Sequence, residues 1–265
     1  MRTDILTNSR VPWSHSQSVV ACGLYFTLPF GQMHSRNPII IEIAGLLGRT
    51  PSSLAMKLVN FASLDPEQQA RGIRGLSSHS RTDEQVWKEF SSDWEGMTLL
   101  SEASLQALQS GRPFNSCPDT VVSVLDANIR TEVELTVKAR RMQGVFRKLV
   151  LAAYESRCCI TGNPIPDLLV ASHILPWADF PKERLNPRNG VCLSAHFDRA
   201  FDRGLISFDD QIRLTLSPLL RRYLPNDSIE SEFVRREGQP LKGPERFAPD
   251  PSFFAYHRKS IFRLQ

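Results

Sequence analysis

Four residues in the second half of the chain have the types and the order needed to hydrolyse a phosphodiester bond. His173 ends one apolar run, Asn189 precedes another, and His196 and Asp198 open an amphipathic stretch. A neutral imidazole can act as a base for water near pH 7, and an amide carbonyl can hold that imidazole in one tautomer. A carboxylate suits Mg²⁺ or Mn²⁺, which prefer oxygen ligands. We therefore predict a metal-assisted hydrolytic site.

A β-hairpin followed by a helix would bring these side chains around one ion. Residues 168–174 and 190–193 have the apolar content of short strands, and residues 194–202 are typical of a helix. The histidine then lies at a strand end, and the His/Asp pair opens the helix. Three further strand-like segments are predicted at 158–161, 205–208 and 212–216.

The same segment resembles the HNH endonucleases, or ββα-metal nucleases. The resemblance rests on three ordered blocks, Ala171–Trp177 (A-S-H-I-L-P-W), Asn189–Leu193 (N-G-V-C-L) and Phe201–Gly204 (F-D-R-G). It covers residues 147–208. Three upstream segments, Leu28–Gly31 (L-P-F-G), Gly48–Ser52 (G-R-T-P-S) and Asn60–Ala62 (N-F-A), resemble the amino-terminal region of bacterial HNH restriction endonucleases. It implies a ββα-metal domain, endonucleolytic cleavage of DNA and a divalent cation, with Mg²⁺ expected before Mn²⁺ or Ni²⁺.

The resemblance also implies a role for each candidate side chain. By position, His173 is the general base, Asn189 orients it, and Asp198 is the metal ligand with His196 as its rival. Asp202 lies one helical turn after Asp198 and can share its face. An ion pair with a neighbouring arginine explains Asp202 equally well, so its role stays open.

A helical domain is predicted upstream over residues 18–110. Helices are expected at 38–47 and from residue 51 onward, because Gly48 is a typical C-cap and Pro51 a typical first helical residue. Two short helices joined by a glycine turn indicate a helix-turn-helix. Its second helix offers four side chains that can reach phosphates or bases: Ser52, Ser53, Lys57 and Asn60.

The nuclease domain is predicted over residues 130–220, with a tail at 221–265 that packs on it, which makes the fold class α+β. It opens with a helix from about residue 132 to 154. The exposed side of that helix carries five basic residues predicted to bind DNA: Lys138, Arg140, Arg141, Arg147 and Lys148. Such residues supply the sequence-independent part of DNA affinity, although a merely solvated helix face looks the same. Residues 1–17 are predicted to be unstructured, and 111–119 to form the linker.

Composition places the chain among ordinary globular proteins. It has 265 residues, 41% hydrophobic and 23% charged, with a formal net charge of +4. No apolar run approaches the roughly 18 residues of a membrane span, and the first residues lack the apolar region of a signal peptide. Five cysteines, irregularly spaced, are typical of free thiols in a reducing compartment. We expect a cytoplasmic protein without a zinc clip.

The leading hypothesis is a metal-dependent DNA endonuclease that restricts foreign DNA, with monomer and homodimer both open. Ser172 stands where many related nucleases carry a second ligand just before the base. That departure supports an alternative, a DNA-binding regulator that keeps the nuclease scaffold without activity. A protein-interaction module built on the helix pair is a third hypothesis.

Overall fold

The computed structural model describes residues 11–72, 79–111, 132–244 and 246–264, with the backbone alone at 132–138. The chain divides into two compact units, Met1–Arg141 and Met142–Gln265, here called the first and the second unit. The predicted α+β class is confirmed, because the described residues combine many helices with small antiparallel sheets. The domain bounds 18–110, 130–220 and 221–265 stay predictions. Beyond Gly111, the predicted linker lies outside the described residues.

The first unit is helical throughout its described part. Its elements are α1 (His15–Thr27), a 3₁₀ turn (Phe30–Gln32), α2 (Pro38–Leu46), α3 (Pro51–Leu64), α4 (Pro66–Ala70), α5 (Arg81–Ser92) and α6 (Trp94–Gln109). The predicted pair α2 and α3 is present, with Asn37 and Thr50 as side-chain N-caps and Gly48 at φ +64° between the helices. Within the described residues, no single helix combines the length and apolar composition needed to cross a membrane, although α2 and α3 pass that test jointly.

Helix α1 begins at His15, inside the stretch predicted to be unstructured. Ser14 and Gln17 form a capping box at its start. Arg49, which is 7% exposed, donates hydrogen bonds to the Pro12 carbonyl (2.7 Å) and to the Gln17 side chain (2.8 Å). These contacts with a residue far along the chain order a polar segment that has no apolar periodicity of its own.

Helix α3 does not present the charge that the sequence predicts for DNA contact. The chain turns by 102° between α2 and α3, as in a helix-turn-helix. Lys57, however, is buried, bonded to Asp83 and placed over the Trp13 ring at 4.8 Å. Since Lys57 is the one charged residue of α3, its burial leaves this helix without an exposed cation.

The second unit is built around the predicted β-hairpin and helix. Its elements are α7 (Glu132–Ala153, which starts before the unit boundary), β1 (Leu169–His173), β2 (Gly190–Ser194), α8 (Ala195–Asp202), β3 (Ile206–Phe208), β4 (Leu214–Leu216), α9 (Pro218–Arg221), α10 (Asp227–Glu232) and α11 (Pro251–Ser260). Short 3₁₀ turns lie at Pro166–Leu168, Pro181–Glu183, Pro187–Asn189 and Val234–Arg236. Strand β1 pairs antiparallel with β2, which sets His173 opposite Gly190, and β3 pairs antiparallel with β4.

Residues 158–161 form a turn, so the strand predicted there is wrong. The Cys158 thiol accepts hydrogen bonds from the backbone amides of Ser194 (3.3 Å) and Thr161 (3.5 Å). Gly162 follows with φ +77°, a conformation that glycine adopts without steric cost. The apolar residues of this segment are buried by the turn and not by a sheet.

Gly190 allows helix α7 to pack directly on the hairpin. A Cβ at this position would lie 2.4 Å from Val150 and 2.8 Å from Phe146, well inside van der Waals contact. Phe146 stacks on the His173 imidazole, with 3.6 Å between ring centroids and 12° between planes. The glycine of the Asn189–Gly190 pair therefore sets the packing beneath the predicted base.

Helix α11 attaches the tail of the chain to α8 and β3 through a buried histidine. The Nδ1 of His257 accepts a hydrogen bond from the Ser207 hydroxyl (2.9 Å), and its Nε2 donates to the Phe201 carbonyl (3.2 Å). The His257 ring also stacks on Phe201 at 3.8 Å. Burial lowers the pKa of His257 to about 4.

We expect the free energy of unfolding to fall as the pH drops from about 6.5 to about 4. An unfolded histidine titrates near pH 6.5, whereas folded His257 resists protonation until about pH 4. The unfolded chain therefore binds more protons in this window, and stability is lost by about 3 kcal/mol. Urea unfolding of the parent and of His257→Gln at several pH values measures this loss. An equal pH dependence in both proteins would contradict the prediction.

Candidate functional site

A cavity of about 410 Å³ in the second unit brings the end of β1 and one side of α8 together. Its wall includes these polar and flanking residues: Ser172, His173, Trp177, Asp198, Asp202 and Ile261. His173 and Asp198 thus share one cleft, as the predicted arrangement of hairpin and helix requires. Asn189 and His196 are not part of its lining.

The imidazole of His173 is held in one orientation and one tautomer. Phe146 stacks on one face, and Trp177 meets the ring edge-on at 5.3 Å. The Nε2 atom lies 3.0 Å from the Arg184 carbonyl, which can only accept, so we assign the proton to Nε2 and the lone pair to Nδ1. Burial lowers the pKa of His173, and the bond to Arg184 offsets this in part. His173 is therefore neutral near pH 7 with Nδ1 as its basic atom.

Asn189 holds the loop after β1 and does not touch the imidazole. Its Oδ1 accepts from the Leu175 amide (2.7 Å), its Nδ2 donates to the Glu183 carbonyl (3.1 Å), and the residue is 1% exposed. Because Glu183 precedes Arg184, Asn189 fixes the backbone whose carbonyl orients His173. The prediction that the side-chain carbonyl of Asn189 bonds to the ring directly is wrong, because the Nε2–H of the ring donates to the Arg184 carbonyl instead.

We expect Asn189→Ala to lower the free energy of unfolding by about 2–4 kcal/mol. The substitution leaves the Leu175 amide and the Glu183 carbonyl without their bonds in the interior, at about 1–3 kcal/mol each. Urea unfolding measures the loss. Asn226→Ala is the control, because it removes only an exposed N-cap bond of α10, worth about 1 kcal/mol. A loss no greater than that of the control would contradict the prediction.

Asp198 and Asp202 form a carboxylate pair on the cleft side of α8. Burial raises the pKa of Asp198, partly offset by the Ser172 hydroxyl and by Arg199. Burial also raises the pKa of Asp202, and the negative charge of Asp198 adds to this effect. Asp202 forms no ion pair with a described residue. Its position in the cleft therefore favours metal binding beside Asp198 over the ion pair with an arginine, the two roles that the sequence left open. Without a cation, burial disfavours the negative charges of these two carboxylates. Two such oxygen donors fit a hard divalent cation.

The Ser172 hydroxyl is a second feature that fits a ligand in the cleft. It is buried and has no hydrogen-bond partner within the described residues, yet it lies close enough to Asp198 to lower the pKa of that carboxyl. A buried hydroxyl in this state can bond to a water or to an oxygen around an ion. No group of three or more His, Cys, Asp or Glu side chains forms a metal cluster in the described part of the chain. Water and phosphate oxygens would complete the coordination.

The structure does not bring His196 to the cleft. Its Nε2 lies 2.8 Å from Glu232 on the exposed surface, and its ring packs against Phe197 and Phe233. Because α8 begins at Ala195, His196 and Asp198 both lie within its first turn and point about 200° apart. Of the two rival ligands, only Asp198 faces the cleft.

The predicted DNA-binding residues of α7 lie in different surroundings. Arg147 donates hydrogen bonds to the carbonyls of Leu169 (2.7 Å) and Pro166 (3.0 Å), so its guanidinium braces the start of β1. The exposed members are Arg140, Arg141 and Lys148. The side chain of Lys138 lies outside the described residues.

Two supports of His173 have no signal in the sequence. The Arg184 contact is made by a main-chain carbonyl, which any residue carries and no sequence pattern marks. Phe146 has the spacing of an ordinary apolar helix residue. The guanidinium of Arg184 also lies over the Trp177 ring at 5.1 Å, and its Nε donates to the Trp177 carbonyl (2.9 Å). Trp177 therefore contacts both His173 and Arg184.

Residues 158–209 match the family model of the HNH endonucleases. The match runs from the turn at Cys158 through β3 and contains His173, Asp198 and Asp202. The second unit therefore carries an HNH nuclease domain, as the three sequence blocks predicted, and nucleic acid is the substrate of such a domain. HNH nucleases generally use a divalent metal ion. A search of curated proteins found no match for the chain.

Proposed function

We propose that this protein is a metal-dependent endonuclease that hydrolyses phosphodiester bonds in DNA. The observation that carries the proposal is one cleft that holds His173, with its Nε2 against the Arg184 carbonyl, and a carboxylate pair. The cleft lies within the HNH domain. Ser172 stands where many related nucleases carry a second ligand, but both carboxylates still line the cleft. The cleft therefore favours an active nuclease over the inactive DNA-binding regulator.

The side chains of the cleft divide the work of hydrolysis. His173 Nδ1 accepts a proton from the attacking water. The Arg184 carbonyl keeps the bond to Nε2–H and thereby favours the imidazolium that forms. Asp198 and Asp202 would hold the divalent ion, for which Mg²⁺ is the best match to oxygen donors. When bound, the ion supplies positive charge for the scissile phosphate and the leaving oxygen.

DNA is the proposed substrate, and restriction of foreign DNA in the cytoplasm is the proposed role. Basic residues outnumber acidic residues in the second unit, whereas the two balance in the first unit. An excess of positive charge in the unit with the nuclease site suits a polyanionic substrate. The exposed residues Arg140 and Arg141 stay proposed phosphate contacts.

Plasmid cleavage across metals tests this function. The purified chain is incubated with methylated and unmethylated plasmid, single-stranded DNA or RNA in EDTA, Mg²⁺, Mn²⁺ or Ni²⁺. We expect nicking and linearisation of DNA with a divalent cation and none in EDTA. Cleavage in EDTA would contradict the metal requirement, and cleavage of RNA alone would contradict the substrate. DNA binding without cleavage under every condition would favour the regulator.

A further inference from the structure

Two arginines, Arg199 on α8 and Arg203 at its C-cap, border the carboxylate pair and have no role in the proposed chemistry. Arg199 and Arg203 are exposed, and they lie one helical turn apart. At about 100° per residue, they follow Asp198 and Asp202 around the exposed side of the helix. Neither arginine forms an ion pair with a described residue.

Main-chain contacts bring the backbone of a third arginine, Arg263, next to Gly204, the residue that follows Arg203. The amide of Arg263 donates to the Gly204 carbonyl (3.0 Å), and its carbonyl accepts from the Ser217 hydroxyl. Gly204 has φ +66°, and a Cβ there would lie 2.1 Å from the Ile261 carbonyl oxygen. The glycine of the F-D-R-G block therefore lets residues 261–264 run along the end of α8.

This segment also reaches the wall of the cleft, at its first residue. Ile261 lines the cavity, and two amides, of Ile261 and Phe262, donate to the His257 carbonyl (2.9 Å each). The Arg263 side chain is exposed and forms no ion pair with a described residue. Because hydrogen bonds already fix the backbone of Arg263, its backbone loses little conformational entropy when the side chain binds a ligand.

We propose that Arg199, Arg203 and Arg263 form an arginine rim that binds backbone phosphates of the nucleic acid beside the scissile bond. Guanidinium groups pair with phosphate oxygens through charge-assisted, often bidentate hydrogen bonds. Such contacts supply affinity and register without sequence preference. The inference rests on the proposed function, and it adds residues 261–264, which lie outside the family match, to the substrate surface.

The arginine rim is tested by the salt dependence of DNA binding. A 20-base-pair duplex is titrated by fluorescence anisotropy with the whole 265-residue chain carrying His173→Ala, which slows cleavage, at 50–300 mM NaCl. Alanine at all three rim positions should reduce the magnitude of the negative slope of log K against log salt by about 2–3. Each phosphate contact contributes about 0.9 to this magnitude. The same change weakens binding about 10²-fold near 0.1 M salt.

Matched variants separate phosphate contact from general charge and from folding. Lysine at the three rim positions keeps the charge and should retain most of the slope. Arg213→Ala removes an exposed arginine already paired with Asp209 (2.9 Å) and should leave the slope unchanged. If the triple-alanine chain unfolds, the single variants Arg199→Ala and Arg203→Ala decide, each with an expected loss of about 0.9.

The outcomes distinguish this inference from the function on which it rests. An unchanged slope in the triple-alanine variant, with a parent chain that binds and cleaves DNA, overturns the arginine rim alone. A loss of slope confined to Arg140→Ala/Arg141→Ala overturns it as well and moves the contacts to α7. If the chain neither binds nor cleaves DNA, both proposals fail.

Discussion

Replacing His173 with alanine is expected to lower kcat for DNA cleavage by about 10²–10⁴-fold, the usual contribution of a positioned general base. DNA affinity should stay close to that of the parent, because the imidazole acts on water and contributes no charge to the substrate surface. Single-turnover cleavage and anisotropy binding measure the two quantities separately. His196→Ala is the matched control, since that histidine is exposed, bound to Glu232 and outside the cleft. Its rate should equal that of the parent.

The pH dependence of cleavage gives a second measure of the same base. Because burial lowers the pKa of His173, the acid limb of kcat/KM should have its midpoint below about 6.5. Activity rises with pH through that midpoint, as His173 loses its proton, and stays high near pH 7. A parent rate in His173→Ala, or an acid limb centred well above pH 7, would contradict the assignment of the base.

The double variant Asp198→Asn/Asp202→Asn should abolish cleavage and at the same time raise the unfolding temperature in EDTA. Amides are poor ligands for a hard cation, so the ion and its charge are lost from the cleft. The pKa of both carboxyls is raised in the folded state, which means that their negative charges destabilise the fold at pH 7. Replacing them with neutral amides removes this cost. Metal titration of cleavage and thermal unfolding measure the two effects.

The single variants and a control complete this test. Asp198→Asn and Asp202→Asn should each raise the metal concentration needed for half-maximal cleavage. Partial burial acts to raise the pKa of Asp209, but hydrogen bonds from Arg213 lower it overall. Asp209→Asn should therefore reduce stability and leave cleavage intact, the opposite of the pair. A normal metal requirement in both single variants would remove the carboxylates from the ion site.

Local signals explain why much of the fold was predictable. The helix starts at Pro38 and Pro51 depend on caps one residue upstream, and Gly48 sets the turn between them. Apolar content and length were enough to place β1 and β2 within a residue or two. The errors arose where a distant partner decides the outcome: Lys57 is buried by Asp83, which lies on another helix.

The sequence by itself determined the chemistry of the site, because residue type and order specify a histidine, an asparagine and an aspartate on a hairpin and helix. The tertiary structure decided which atoms meet. Because α8 begins at Ala195, Asp202 lines the cleft and His196 lies outside it. The tertiary structure also gave the orientation of His173 to the main-chain carbonyl of Arg184, with Asn189 behind it. Spacing along a chain cannot specify such contacts, because they depend on where a folded loop returns.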